Sequence, residues 1–274
     1  MNFKQRVVRF APPQLIHWGK FLVDPRYRQL DRLKSVPRYQ PTTTDIFGNP
    51  FEVADSASFI STYQQIFDEQ IYRFKADKEQ PLILDCGANI GLSVIYFKRL
   101  YPRSVITAFE ADKEIFKILK TNIENFGYND VELVNRAVWN SETELNFTSD
   151  GADGGRLSVP NDKPDHIVKT VRLRNYLDHR IDFLKLDIEG AETMVLEDCA
   201  DSLQNVETLF VEYHSFDREP QSLHVLVDVL ANAGFRLHIQ APMFAPQPFI
   251  KRYSEMGMDM QLNVFAFRPD FGAR

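Results

Sequence analysis

A chain of 274 residues with 32 Lys/Arg, 38 Asp/Glu and a net charge of −6 is long enough for one full hydrophobic core with an appendage. The acidic balance argues against a nucleic-acid partner, which would draw on clustered cations, and no apolar run is long enough to span a bilayer. Two cysteines, Cys86 and Cys199, sit in apolar or helical contexts; they speak against a disulfide framework and fit a reducing, cytoplasmic setting.

The charge is uneven. Residues 1–40 hold nine Lys/Arg against two Asp/Glu, which leaves −13 for residues 41–274. Within this basic arm Leu15, Trp18 and Leu22 share one face of a short helix expected near Leu15 to Val23. Such a stripe could lie on an anionic membrane surface. Its shortness makes docking on the chain's own domain or on a second subunit the expectation. Met1 to Phe10 is charged and no continuous apolar core follows, so no secretory signal is read there.

Residues 41–80 read as a hairpin and a helical cover. Thr42 to Asp45 and Phe51 to Val53 flank a Gly48-Asn49 turn. Ser56 to Phe74 is expected to be helical, because Phe59, Ile60, Tyr63, Ile66, Phe67 and Ile71 recur at three- and four-residue steps.

From residue 81 strands and helices alternate. Leu82 to Leu84 is a short buried strand, Asp85 to Gly91 a glycine turn, and the following helix runs to about Leu100. Val105 to Phe109 is a strand ending in Glu110; Asp112 to Phe126 is a helix stopped by Gly127. Val131 to Val134 is a third strand. Glu144 to Thr148 and Ile167 to Val171 are strands around the polar loop Ser149 to Arg156 and break the alternation. It resumes with Phe183 to Leu186, a helix from Ala191, the strand Val206 to Val211, a helix Gln221 to Ala233, and two closing strands, Phe235 to Ile239 and Leu262 to Phe267. Alternation implies an α/β fold with a parallel sheet and helices on both faces, and the closing pair implies an antiparallel C-terminal edge. The Met256-Gly-Met-Asp-Met260 cluster before the last strand reads as an apolar lid rather than a soft-metal site.

In an open parallel sheet the ligand sits beyond the carboxyl ends of the strands. Those ends deliver Asp85, Glu110, Asp187, Glu189, Glu212 and His214. Carboxylates converging on one rim call for a cation. Gly87-x-x-x-Gly91 lacks the G-x-G-x-x-G spacing of dinucleotide sites, and Asp85 is a poor neighbour for pyrophosphate. A cofactor with a positive sulfur and an amino-acid tail suits it better. Glu110, 25 residues after Asp85, is placed to accept both ribose hydroxyls. Taken singly, Asp85 could be a turn residue and Glu110 a neighbour of a helix cap.

Three segments together resemble the FkbM family of S-adenosylmethionine-dependent methyltransferases: Asp85-Cys-Gly-Ala-Asn-Ile-Gly91, Phe109-Glu110, and Phe183-Leu-Lys-Leu-Asp-Ile-Glu-Gly-Ala-Glu192. The likeness spans about residues 80 to 215, with the last segment its most specific part. It implies a Rossmann-like class I methyltransferase domain over residues 81–274, with S-adenosyl-L-methionine as cofactor and a hydroxyl of a sugar, glycan or secondary metabolite as acceptor. It also implies cofactor contacts by Asp85, Gly87, Ala88, Asn89, Gly91, Glu110, Ala111 and Asp187, with the Asn135 to Ala137 region, Arg136 and Ala137 included, near the adenine. Two positions depart from the family's habit: Ala111-Asp112 follows the Phe-Glu pair where proline is common, and Arg174 follows Leu173 where an acidic residue is common.

For the transfer, the protein must position an acceptor hydroxyl and remove its proton. His214, expected neutral near pH 7, is the first choice as base, with Asp187 and Glu189 beside it. His214 could instead merely close its strand, Glu189 could orient His214, bind substrate or cap the helix near Ala191, and Lys185 could be a solvated or paired face residue. A hard-metal centre from Asp187, Glu189, Glu212 and His214 is the lesser expectation, since a bound sulfonium would already balance the carboxylates. A binding module without catalysis and, more distantly, a nicotinamide oxidoreductase stand as the other classes.

Overall fold

The computed structural model describes residues 24–149, 151–152, 154–157, 166–242, 245–251 and 257–269. The helix expected near Leu15 to Val23 and Met256 of the methionine cluster lie outside them. No helix among the described residues is long and apolar enough to cross a membrane.

Helix α1 (Pro25–Lys34) leads into a hairpin of β1 (Thr42–Thr44) and β2 (Phe51–Val53), then α2 (Ser56–Tyr63). The helix expected through Phe74 is interrupted. After Tyr63 the chain makes one wide π turn, Gln64–Asp68, and leaves helical structure. The apolar repeat that suggested a longer helix continues as irregular chain, with Tyr72 and Phe74 packed into the core.

The central sheet has seven strands. Four are β3 (Leu82–Cys86), β4 (Val105–Phe109), β5 (Val131–Val134) and β10 (Ile181–Leu186). The others are β11 (Val206–Phe216), β12 (Arg236–Gln240) and β13 (Met258–Phe267). Their order is β12-β13-β11-β10-β3-β4-β5. From β3 the chain steps outward through β4 and β5, then returns to β10 on the other flank, so the switch point lies between β3 and β10. The last strand, β13, is antiparallel to both neighbours, and it lies one place in from the edge, which β12 forms. A second, four-stranded sheet was only half foreseen. Besides β7 (Glu144–Thr148) and β9 (His166–Arg172), it includes β6 (Ala137–Trp139) and the two-residue β8 (Arg156–Leu157), both too short to show a period.

Strand alternation splits the interior in two. Ile83, Phe183 and Phe210 face one core with α2, α3 (Leu92–Leu100) and α4 (Lys113–Asn125). Leu84, Leu184 and Leu209 face the other, with α5 (Glu192–Cys199) and α6 (Leu223–Asn232). Cys86 and Cys199 are buried free thiols.

The N-terminal cover is pinned by one buried amide. Asn122 of α4 donates to the carbonyls of Glu52 (3.0 Å) and Ile90 (2.8 Å) and accepts from the Glu52 N–H (2.6 Å). Asn122→Ala strands these groups, and we expect it to lower unfolding free energy by about 2–3 kcal/mol in urea titration.

Candidate functional site

A cavity of about 550 Å³ opens across the carboxyl ends of β3, β4, β10 and β11, in the size range of small-molecule sites. Its floor is the turn after β3. The Gly87 and Ala88 N–H groups both donate to the Phe109 carbonyl, at 3.0 and 2.8 Å, which ties the turn to β4. Both motif glycines have packing reasons. Gly87 has φ +83°, and a Cβ there would lie 1.8 Å from the Asp187 carbonyl oxygen; Gly91 has φ +98°, and a Cβ would press to 2.9 Å of Leu119. The glycines serve the protein's own close approach at the switch point.

Asp85 differs from expectation. It is fully buried and does not line the cavity. Its carboxylate accepts from the Ser93 hydroxyl (2.5 Å), and the Lys185 ammonium stands 3.4 Å away. Lys185, read from sequence as a face residue, is buried at the switch point. Its ammonium also lies 3.1 Å from Asp187 Oδ2 and donates to the Gly87 carbonyl at 2.7 Å. Burial opposes the charge, but Asp187 and Asp85 outweigh it and hold the lysine pKa well above its ordinary value. Gly91 likewise stays behind the lining, as the left-handed residue that starts α3.

The other expected cofactor residues, Gly87, Ala88, Asn89, Glu110, Ala111, Arg136, Ala137 and Asp187, line the cavity. Glu110 is oriented by backbone: Oε2 accepts from the Asn89 N–H at 2.9 Å and Oε1 from the Asp112 N–H at 2.8 Å. Each oxygen keeps lone pairs for a further donor. Burial pushes its pKa up to about 7, against those two hydrogen bonds. Asn135 braces this corner by donating to the carbonyls of Glu110 (2.9 Å) and Ala111 (3.2 Å).

At the other end, Asp187, Glu189, Glu212 and His214 meet. Strand β11 does not end at Val211 as expected but runs on to Phe216, so Glu212, His214 and Phe216 alternate onto the cavity face. His214 Nδ1 lies 3.1 Å from Glu192, and Nε2 lies 3.8 Å from Glu189 and 4.0 Å from Glu212. Burial alone would keep the imidazole neutral; the charges of Glu189, Glu192 and Glu212 outweigh it and raise its pKa well above the ordinary value. The same carboxylates that raise it would stabilise the imidazolium formed if His214 took up a proton. Burial raises the Glu189 carboxyl, and raises Glu212 to about 7 with help from the charge of Asp187.

Glu189 does not cap α5. Glu192 does the local work, accepting from the N–H groups of Ile188 (3.1 Å) and Gly190 (3.0 Å). Glu189 itself is a non-glycine residue at φ 57°, a backbone outlier of the kind that clusters at functional sites. Sequence reading missed Glu192 as a partner of His214. The 22-residue separation hides it, though it closes the most specific of the three matching segments.

The cavity's far wall comes from α2 and the small sheet. Ser58, Ser61, Thr62 and Gln65 line it at helical spacing, while Phe59, Tyr63 and Ile66 on the opposite face are buried in the core. Arg38 reaches the rim and donates to Asp55 at 2.9 Å. Phe147, Gly155 and Arg156 close the side, with the Arg156 guanidinium 4.5 Å from the centre of the Phe216 ring.

The profile of the methyltransferase FkbM domain matches residues 85–237. Methyltransferase 1 of Beauveria bassiana is 24% identical over 218 residues, 70% of this chain and 86% of its own. Methyltransferase sdnD of Sordaria araneosa is 28% identical over 232 residues, 70% of this chain and 87% of its own. Among solved structures, methyltransferase FkbM from Methylobacillus flagellatus shares 12% identity, 90% coverage of this chain and 60% of its own, and a TM-score of 0.45.

Lys185→Met leaves Asp85 and Asp187 facing each other uncompensated. We expect a loss of about 3–5 kcal/mol in stability, the range for breaking a buried pair by removing one partner, read as a lowered urea midpoint at unchanged slope.

Proposed function

The chain belongs to the FkbM family of methyltransferases, and we propose that it moves the methyl group of S-adenosyl-L-methionine to a hydroxyl oxygen of a sugar, glycan or similar polyhydroxylated acceptor. One observation carries the cofactor assignment. Glu110, held by two backbone N–H groups at the cavity edge, offers unused lone pairs to a pair of vicinal hydroxyls. Ala111, Arg136 and Ala137 flank it and would hold the base, and Asp187 and the Asn89 turn would hold the tail. S-Adenosylmethionine supplies a methyl group on positive sulfur, which departs as the neutral thioether when an acceptor oxygen takes the methyl.

The acceptor class rests on α2. Ser58, Ser61 and Thr62 of α2 and Gln65 of the π turn after it line the cavity with hydroxyl and amide groups, which match a ligand rich in hydroxyls. The acceptor's proton must go to a base on the opposite wall. The His214 imidazole and the cavity-lining carboxyl groups of Asp187, Glu189 and Glu212 are the groups in reach. Bringing the oxygen to the methyl in line is the larger task, and it falls to the rigid strand ends and α2.

Glu110 gives a pH signature. In the ligand-free chain it keeps its proton up to about pH 7, whereas its ordinary value is 4.5. Its contribution to stability is therefore full below the ordinary value and is lost as pH rises through about 7. Ribose hydroxyls donate to the ionised form, so binding expels that proton. Calorimetry should show affinity for S-adenosylhomocysteine rising between pH 6 and pH 8, with proton release. Glu110→Gln should bind more weakly and lose that pH dependence. Absence of S-adenosylhomocysteine binding by the wild type at any pH would sink the cofactor assignment.

A methyl-transfer assay with labelled donor against a panel of saccharides, lipid-linked glycans and aliphatic alcohols tests the acceptor. Label on saccharides, reduced when Ser61 and Thr62 are both changed to Val, is the expected outcome. Turnover confined to apolar alcohols would overturn the acceptor class.

A further inference from the structure

Lys185 answers the charge on the cofactor side of the rim, between Asp85 and Asp187. On the acceptor side the imidazole of His214 stands amid Glu189, Glu192 and Glu212. Its side chain is 2% exposed, yet the ring lines the cavity. Nε2 makes no hydrogen bond among the described residues: its carboxylate neighbours at 3.8 and 4.0 Å are beyond hydrogen-bonding reach.

The two ring nitrogens have different surroundings. Glu192 accepts from two backbone N–H groups, so it is fixed as an acceptor, and Nδ1 is the nitrogen that donates to it at 3.1 Å. That leaves Nε2 on the cavity side, where a bound cation would displace the proton that the surrounding carboxylates favour on the ring. A carboxylate behind one nitrogen of an imidazole, with the other nitrogen turned to an open site, is how a metal-ligating histidine is oriented. Asp187, Glu189 and His214 each bring one donor atom within 4.8 Å of the others. Adjacent ligands of an octahedral ion at about 2.1 Å stand about 3 Å apart and opposite ones about 4.2 Å, so the three side chains must draw together to seat it. Lys185 engages Oδ2 of Asp187, and a carboxylate has a second oxygen to give.

We propose that Asp187, Glu189 and Nε2 of His214 seat a divalent cation, Mn²⁺ or Mg²⁺ by their oxygen-rich donor set, with an open position for the acceptor hydroxyl. A hydroxyl bound to the cation is acidified. Its proton passes to Glu212, the carboxylate left on the same wall, and the oxygen keeps the electron pair that forms the new bond to the methyl carbon. The ion's role rests on the methyl-transfer reading; its binding does not.

The test is Mn²⁺ binding to full-length, chelator-stripped protein without methyl donor, followed by the electron paramagnetic resonance of free Mn²⁺. One saturable site is expected. Glu189→Gln, His214→Ala and Glu192→Gln should each weaken it by about tenfold or more. Glu189→Gln alters a half-buried side chain at constant size, and its thermal melt checks that the fold is kept. No saturable site, or one indifferent to all three substitutions, overturns the proposal. S-Adenosylhomocysteine binding measured in parallel separates the two claims. Its retention without a Mn²⁺ site removes the cation alone, and its loss beside an intact Mn²⁺ site removes the cofactor assignment and keeps the cation.

Discussion

One buried ammonium holds the switch point together. Lys185 faces Asp85 at the end of β3 and Asp187 just past β10, and donates to the Gly87 carbonyl between them. Two carboxylates at a strand junction would otherwise drive these ends apart. With the cation in place the strands close far enough that Gly87 has no room for a side chain against the Asp187 carbonyl. The consequences run outward from there. The turn fixes Asn89, whose N–H aims Glu110, and Asn135 and Asp112 lock that corner from the other side.

The cavity divides by origin. The end around Glu110 is built from strand ends of the central sheet, which are rigid by virtue of two packed faces. The far end is built from pieces outside that sheet, namely α2 and the small four-stranded sheet. Helix α2 is amphipathic toward two interiors at once. Its apolar side joins an aromatic group in which Phe59 and Tyr63 stack at 6.0 Å and Tyr63 and Phe67 at 4.9 Å. Its polar side meets the ligand space. The π turn that follows lets the chain abandon the helix and send Tyr72 down to the core beside Phe210, with rings 4.8 Å apart.

Much of this was legible in the residues. Alternating apolar runs revealed the parallel sheet, because strands buried on both faces read as continuous hydrophobic segments. The glycine turn, Glu110 and the Asp187–Glu192 segment located the rim. Other features were hidden for physical reasons. Asp85 reads as a ligand contact because sequence says nothing of what lies beneath it; Ser93 and Lys185 take up its carboxylate. His214 reads as a neutral base because its pKa depends on three carboxylates, of which Glu192 is 22 residues away. The helix through Phe74 failed because a three-and-four repeat also describes a chain that keeps dipping into one core. Strands β6 and β8, at three and two residues, carry no period at all.

Strand β11 gives the site an arithmetic of its own. Glu212, His214 and Phe216 reach the cavity by falling on even steps of one pleat, while Val211 before them and Tyr213 between them are buried in the opposite core. The ladder with β13 holds from Thr208 to Ser215 and shifts only between Ser215 and Phe216. The chemistry is thus written in parity. Inserting a single residue between Val206 and Glu212 would turn both titrating side chains into the apolar core and present valine and tyrosine to the cavity, whereas inserting two would slide them along the strand and keep their side.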